Sequence, residues 1–158
     1  MTTPYNINAV LSRSPEGLAF GKVAQWVDYS DFTDNADTTG DLTMNQQIPA
    51  GSFMLGTRVK VTQAFAGDTS AVVTVGKMAG EDEFSDGTSI NVFTTGEKGD
   101  SPEDPLEFIA AAQSVVLRLT SAADFGAVTA GKMLVEVFYL TVDKDYGRGY
   151  PSQAQDRR

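Results

Sequence analysis

The residues best able to do chemistry are acidic. In "MAGEDEFSDGTS" (78–89), Glu81, Asp82, Glu83 and Asp86 crowd together, and hard carboxylate oxygens in one loop are the ligands calcium prefers. Their order departs from the D-x-[DN]-x-[DN]-G pattern of an EF-hand, of which Asp86-Gly87 supplies only a fragment, so the stretch reads as a solvated acidic loop. The same reading applies to Asp31, Asp34, Asn35 and Asp37, and to "GDSPEDP" (99–105). A pair of carboxylates could hydrolyse a glycosidic bond at a separation of about 5–9.5 Å, a distance that sequence does not set. Among 21 acidic residues, chance pairs are many.

Nucleophilic chemistry finds little support. There is no G-x-S-x-G elbow, and Ser52 in "AGSFM" opens a strand with no evident base beside it. Histidine is absent, which removes the usual proton shuttle, the usual serine activator and the commonest metal ligand. Cysteine is absent too, so the chain has no disulfide, thiolate nucleophile or zinc-thiolate site. We therefore expect no enzyme, no cofactor and no metal centre. "GRG" (147–149) and "GEKGD" (96–100) lack the context of a phosphate loop and read as turns. Trp26, Tyr29 and Phe32 could make a sugar-stacking platform, although a core tryptophan at a strand end is the simpler reading.

A formal net charge of -9 repels a phosphate backbone, so bare nucleic acid is not an expected partner. No apolar run approaches the ~20 residues that cross a bilayer. The opening "MTTPYNINAVLSRSPEGLAF" lacks the basic-then-apolar order of a secretory signal, so no membrane partner and synthesis in a cytoplasm are expected.

The elements that hold these residues read as strands. The 158 residues suit one domain, and helical spacing of apolar residues is hard to find beyond two turns. "YNINAVLSR" (5–13) alternates weakly. "GLAFGKVAQWVDYS" (17–30) has Leu18, Phe20 and Trp26 in one phase and Val23, Val27 and Tyr29 in the other, which predicts a bulge near Gly21. Residues 31–41 read as a loop with Gly40 at positive φ, 42–48 as a short edge strand, and "IPAG" as a turn with Gly51 left-handed.

"SFMLGTRVKVTQAF" (52–65) alternates throughout. Phe53, Leu55, Thr57, Val59, Val61, Gln63 and Phe65 are expected inside, with Arg58 and Lys60 facing solvent or a partner. "TSAVVTVGK" (69–77) is expected to fold back on it as a hairpin through "AGD". "INVFTT" (90–95) and "QSVVLRLTS" (113–121) follow as strands, with 96–105 as a charged loop; "LEFIAAA" (106–112) has alanines that favour helix but is short and leads into an extended segment, so strand is the preferred reading. "KMLVEVFYLTV" (132–142), apolar in both phases, is expected to be central or covered. Together these predict an all-β, antiparallel two-sheet sandwich of jelly-roll or Greek-key type. Its expected organisation is N-terminal strands and loop over 1–47, a core over 48–142 and a tail over 143–158. The tail places Tyr146, Arg148, Tyr150, Arg157 and Arg158, residue types enriched at interfaces, on an otherwise acidic chain; a disordered terminus is the competing reading.

The order of features from 48 to 142 (the "IPAG" turn before a long alternating strand, the "VTVG" arm, the "TAG" turn before a final "VEV" strand) resembles capsid decoration, or cement, proteins of tailed bacteriophages. That resemblance implies a jelly-roll-like structural protein on the capsid exterior of a virion. Its implied partners are the major capsid protein and further copies of itself, as a homo-trimer or homo-dimer. No binding residue carries over from the family. On the chain itself Arg58 and Lys60, with the five tail residues, are the interface candidates. A binding module of a phage tail or baseplate, recognising a carbohydrate or receptor, is the alternative.

Overall fold

A computed structural model describes residues 18–85 and 90–142. The weakly alternating 5–13 stretch, Asp86 and all five tail candidates, Tyr146, Arg148, Tyr150, Arg157 and Arg158, lie outside the described residues. The strands are β1 (Leu18–Asp28), β2 (Thr33–Asp34), β3 (Thr39–Ile48), β4 (Ser52–Ala66), β5 (Ala71–Gly76), β6 (Ile90–Asn91), β7 (Gly96–Asp100), β8 (Phe108–Ile109), β9 (Gln113–Ser121) and β10 (Ala130–Val142). They form two antiparallel sheets, the expected all-β sandwich. The first runs β1-β10-β4-β7, with β8 also on β4, and the second runs β2-β3-β9-β5-β6. Among the described residues no helix is long and apolar enough to cross a membrane.

The core lies between the sheets. Val23 and Val27 of β1, Met133, Val135 and Val137 of β10, and Val59, Val61 and Phe65 of β4 meet Leu117 and Leu119 of β9 and Val73 and Val75 of β5. Each such side chain contributes on the order of 1.5–3 kcal/mol by leaving water. β10 is central, between β1 and β4, as its two apolar phases require. The "IPAG" turn is closed as expected: Gly51 has φ 80°, and the Ser52 hydroxyl donates to the Pro49 carbonyl at 2.6 Å.

Several expectations are overturned. β4 does not keep one phase: its register with β10 slips between Phe138↔Gly56 and Tyr139↔Met54, a bulge at Leu55. The slip puts Met54 in the core and turns Phe53 and Leu55 outward. β1 carries no such bulge, since it pairs with β10 without interruption from Leu18↔Val142 to Asp28↔Lys132. Gly21 is there for room: a Cβ would stand 2.5 Å from the ring of Tyr139. Gly40 likewise lies within β3, against the Phe125 ring, and the left-handed residue of that region is Ala36 at φ 61°.

Nor is β5 the hairpin partner of β4. The turn at Gly67 carries the chain to the second sheet, where β5 pairs with β9 and β6. Asp68 secures the crossing by accepting from the amides of Ala123, at 2.8 Å, and Thr69, at 2.6 Å. These backbone N–H groups hold its carboxyl below the usual carboxylate range.

Candidate functional site

Residues opposite one another in antiparallel strands share a face, so the registers of the first sheet define rows across its outer surface. One row is Phe20, Leu140, Phe53 and Phe108. Phe20 and Phe108 are 52% and 55% exposed, and the rings of Phe53 and Phe108 sit 5.1 Å apart. The bulge in β4 makes this row possible by turning Phe53 out. Another row is Trp26, Leu134, Lys60 and Glu97, in which Trp26 is 54% exposed. The expected core tryptophan is therefore a surface residue. Nor does a platform form with Phe32, which is buried against Phe125 at a centroid distance of 6.1 Å.

Between the two rows, and overlapping the second at Lys60 and Glu97, runs a belt of charge. Glu136, the single charged residue of "LVEVFYL", projects from the middle of β10, with 5% of its side chain exposed. A carboxylate so placed needs cations. Lys22 of β1 approaches one oxygen at 2.6 Å, and Arg58 of β4 approaches the other at 2.8 Å. Arg58 also reaches Glu97 of β7 at 2.9 Å, and Lys60 reaches the same carboxylate at 3.4 Å. Arg58 and then Lys60 hold the Glu97 carboxyl below its ordinary range, while Glu97 pushes the Arg58 guanidinium up.

The structure thus brings Arg58 and Lys60 together around Glu97. The sequence reading missed Glu136, Lys22 and Glu97. A lone Glu in a strand apolar on both faces was the available signal for the first. "GEKGD" has the composition of a turn, which hides Glu97, but it forms β7, paired with β4 from Thr57↔Asp100 to Val61↔Gly96. The charged groups of the belt satisfy one another, which fixes their positions and leaves exposed aromatics on both sides.

The acidic residues of 78–85 are mostly tied down. Glu81 pairs with Arg118 at 3.0 Å, and Glu83 pairs with Lys77 at 2.5 Å. Ser52 is buried, with its hydroxyl committed to the Pro49 carbonyl. Among the described residues no group of three or more carboxylates is arranged to hold a metal ion.

With this geometry in place, the chain can be compared with known structures. A chain of the capsid asymmetric unit of cyanophage Pam1 aligns at a TM-score of 0.58 and 16% identity, covering 79% of this chain and 86% of that one. The fold recurs in phage capsids. A chain of the capsid of Ralstonia phage GP4 aligns at 0.51 and 15% identity, covering 77% of this chain and 84% of that one. At such identities the likeness is one of fold. No protein-family model matches the chain, and no curated protein does.

Proposed function

We propose that the protein is a structural virion component that binds the exterior of a tailed-phage capsid through the outer face of its first sheet and stabilises the shell by bridging capsid subunits. The observation that carries this reading is the row Phe20, Leu140, Phe53 and Phe108, beside a belt whose ion pairs join three cations to two carboxylates on a chain of net charge -9. Exposed aromatics flanking a fixed arginine are the composition of binding surfaces, and mutually satisfied charges give orientation without turnover. The fold's occurrence in two phage capsids supports the setting. Affinity need not be high at one site, because many symmetry-related contacts add by avidity. In this reading Arg58 and Lys60 are interface residues, the major capsid protein is the partner, and further copies of the chain adjoin in the bound state.

The test is to add purified protein to undecorated capsids and measure stoichiometric binding by sedimentation. Binding that weakens in Phe108→Ser and Trp26→Ser supports the proposal. Absence of binding at low and high salt overturns it.

One observation favours the alternative, a glycan-binding module. Trp26 lines an open depression of about 570 Å³ with Thr62 and Lys132. Glycan binding that disappears in Trp26→Ala, with no capsid binding by the parent chain, would replace the first reading with this one.

A further inference from the structure

Asp28 of β1 and Lys132 of β10 stand directly opposite each other, in the outward phase of the first sheet. Opposite charges so placed ordinarily pair across the strands. Here they do not, because the Asp28 carboxylate caps the short helical turn Tyr29–Asp31, accepting from the amide and the hydroxyl of Ser30 at 3.3 Å each. Lys132 is exposed, and among the described residues its ammonium has no acceptor. The other described cations are engaged: Lys22, Arg58, Lys60, Lys77 and Arg118 each meet a carboxylate, and Lys98 donates to the Thr94 carbonyl at 2.7 Å.

The sheet is deformed at the same place. β10 sets Met133 against Val61 of β4 but Lys132 against Gln63, so Thr62 is an extra, bulged residue. Its hydroxyl donates to the Lys132 carbonyl at 3.2 Å, which leaves the lone pairs of the hydroxyl oxygen to accept from a ligand. Trp26 belongs to the same outward phase and is 54% exposed. Trp26, Thr62 and Lys132 together line the open depression of about 570 Å³, a volume within the range of small-ligand sites.

We infer that this depression takes a carboxylated pyranose of an acidic glycan, with the sugar ring on the Trp26 indole, the carboxylate on the Lys132 ammonium and a ring hydroxyl on Thr62. Its premise is the glycan reading of the Trp26 depression; the acidic class of the sugar is what Lys132 adds. An indole offers a broad apolar face to the C–H groups of a sugar ring, and a neutral sugar would leave the ammonium without a counter-charge. One unpaired cation matches one negative charge, so on a chain of net charge -9 a monocarboxylate is preferred to a phosphate dianion. Carboxylates farther off are screened beyond about 8 Å at physiological salt. Phe20 and Trp26 lie roughly 20 Å apart along β1, so a sugar bound at Trp26 leaves the Phe20 row uncovered.

Trp26 is the chain's one tryptophan, so its fluorescence reports this site alone. The full chain is titrated with galacturonate and glucuronate oligosaccharides and with their methyl esters, which keep the rings and lose the charge. The expected result is a change of emission with an acidic oligosaccharide and roughly three- to fivefold weaker binding of its ester, the two converging at about 0.5 M salt. Lys132→Gln should weaken binding of the acid by the same factor, whereas Lys98→Gln, which removes an equal charge elsewhere, should bind as the parent chain does. The comparison of acid with ester on the parent chain needs no variant to fold. Equal affinity for acid and ester overturns the acidic class and leaves the glycan reading standing, and so does equal weakening by the two lysine variants. No change of emission with either form of either sugar overturns both.

Discussion

Arg58 on β4 and Glu136 on β10 meet at 2.8 Å between facing strands, and the carboxylate is almost entirely removed from water while the guanidinium is not. The pair is therefore asymmetric. Loss of the cation strands a buried charge, whereas loss of the anion leaves two half-solvated cations.

The first prediction follows from that asymmetry. Glu136→Ala should lower stability by about 1–2 kcal/mol, the scale of lost charged hydrogen bonds and a small void. Arg58→Ala should lower the urea midpoint clearly more than Lys60→Ala, because Lys60 serves only the exposed Glu97. Equal midpoints for the Arg58 and Lys60 variants would show that Lys22 alone satisfies Glu136.

Inside and outside of β4 can be separated next. Val59 is fully buried and Lys60 is exposed. Val59→Asp should cost several kcal/mol through an unpaired charge in the core. Lys60→Asp, although it faces Glu97, should stay within about 0.5 kcal/mol. Thermal unfolding of both decides the matter.

Glycine positions offer a graded test. A Cβ at Gly21 would meet the far end of the Tyr139 ring, which can move, so Gly21→Ala should cost about 1 kcal/mol and much less in a Tyr139→Leu background. Gly67 stands at φ 111° with the Ala127 carbonyl oxygen where a Cβ would go, and backbone cannot yield as a ring does. Gly67→Ala should therefore cost roughly 2 kcal/mol or more. Chemical denaturation of the four variants gives the order.

Acid should unfold the protein through the second sheet as well as the first. Arg118 grips Asp41 with two bonds of 2.8 Å, and its guanidinium lowers the Asp41 carboxyl below the usual range. Bonds to Thr39 lower Asp37 likewise. A carboxyl depressed in the folded state stabilises fully above its unfolded pKa, near 3.9, and that stabilisation is lost as pH falls through the folded value. Stability should thus be flat from about pH 7 to 5 and fall below about pH 4. Asp41→Asn should be less stable by about 1–2 kcal/mol at pH 7, with the gap narrowing at pH 3. Urea titrations at the two pH values would reveal a constant gap if the pair contributed nothing.

Much of the fold was legible where period and burial coincide. "QSVVLRLTS" is β9 to the residue, and the doubly apolar "KMLVEVFYLTV" announced a central strand. The failures share a cause: alternation counts residues and is blind to what lies alongside. A single bulged residue at Leu55 reversed the facing of Phe53. "GEKGD" is a strand only because β4 pairs with it. "AGD" has the composition of a tight turn, yet it spans two sheets because Asp68 finds the Ala123 amide across the gap. The site was legible in part for the same reason. Arg58 and Lys60 stood on the outward phase of an evident strand, while the carboxylates that hold them came from strands distant in sequence.

The central place of β10 also constrains how the molecule is made. Since β10 is, among the described residues, the strand that joins β1 to β4, a chain emerging from the ribosome holds these two flanks of the first sheet unjoined until residues 130–142 have been translated. Closure is then a late, long-range event of the slow kind that non-local pairing imposes. Nascent chains halted before Ala130 should remain open to protease, and a few more residues of synthesis should convert them to the resistant form.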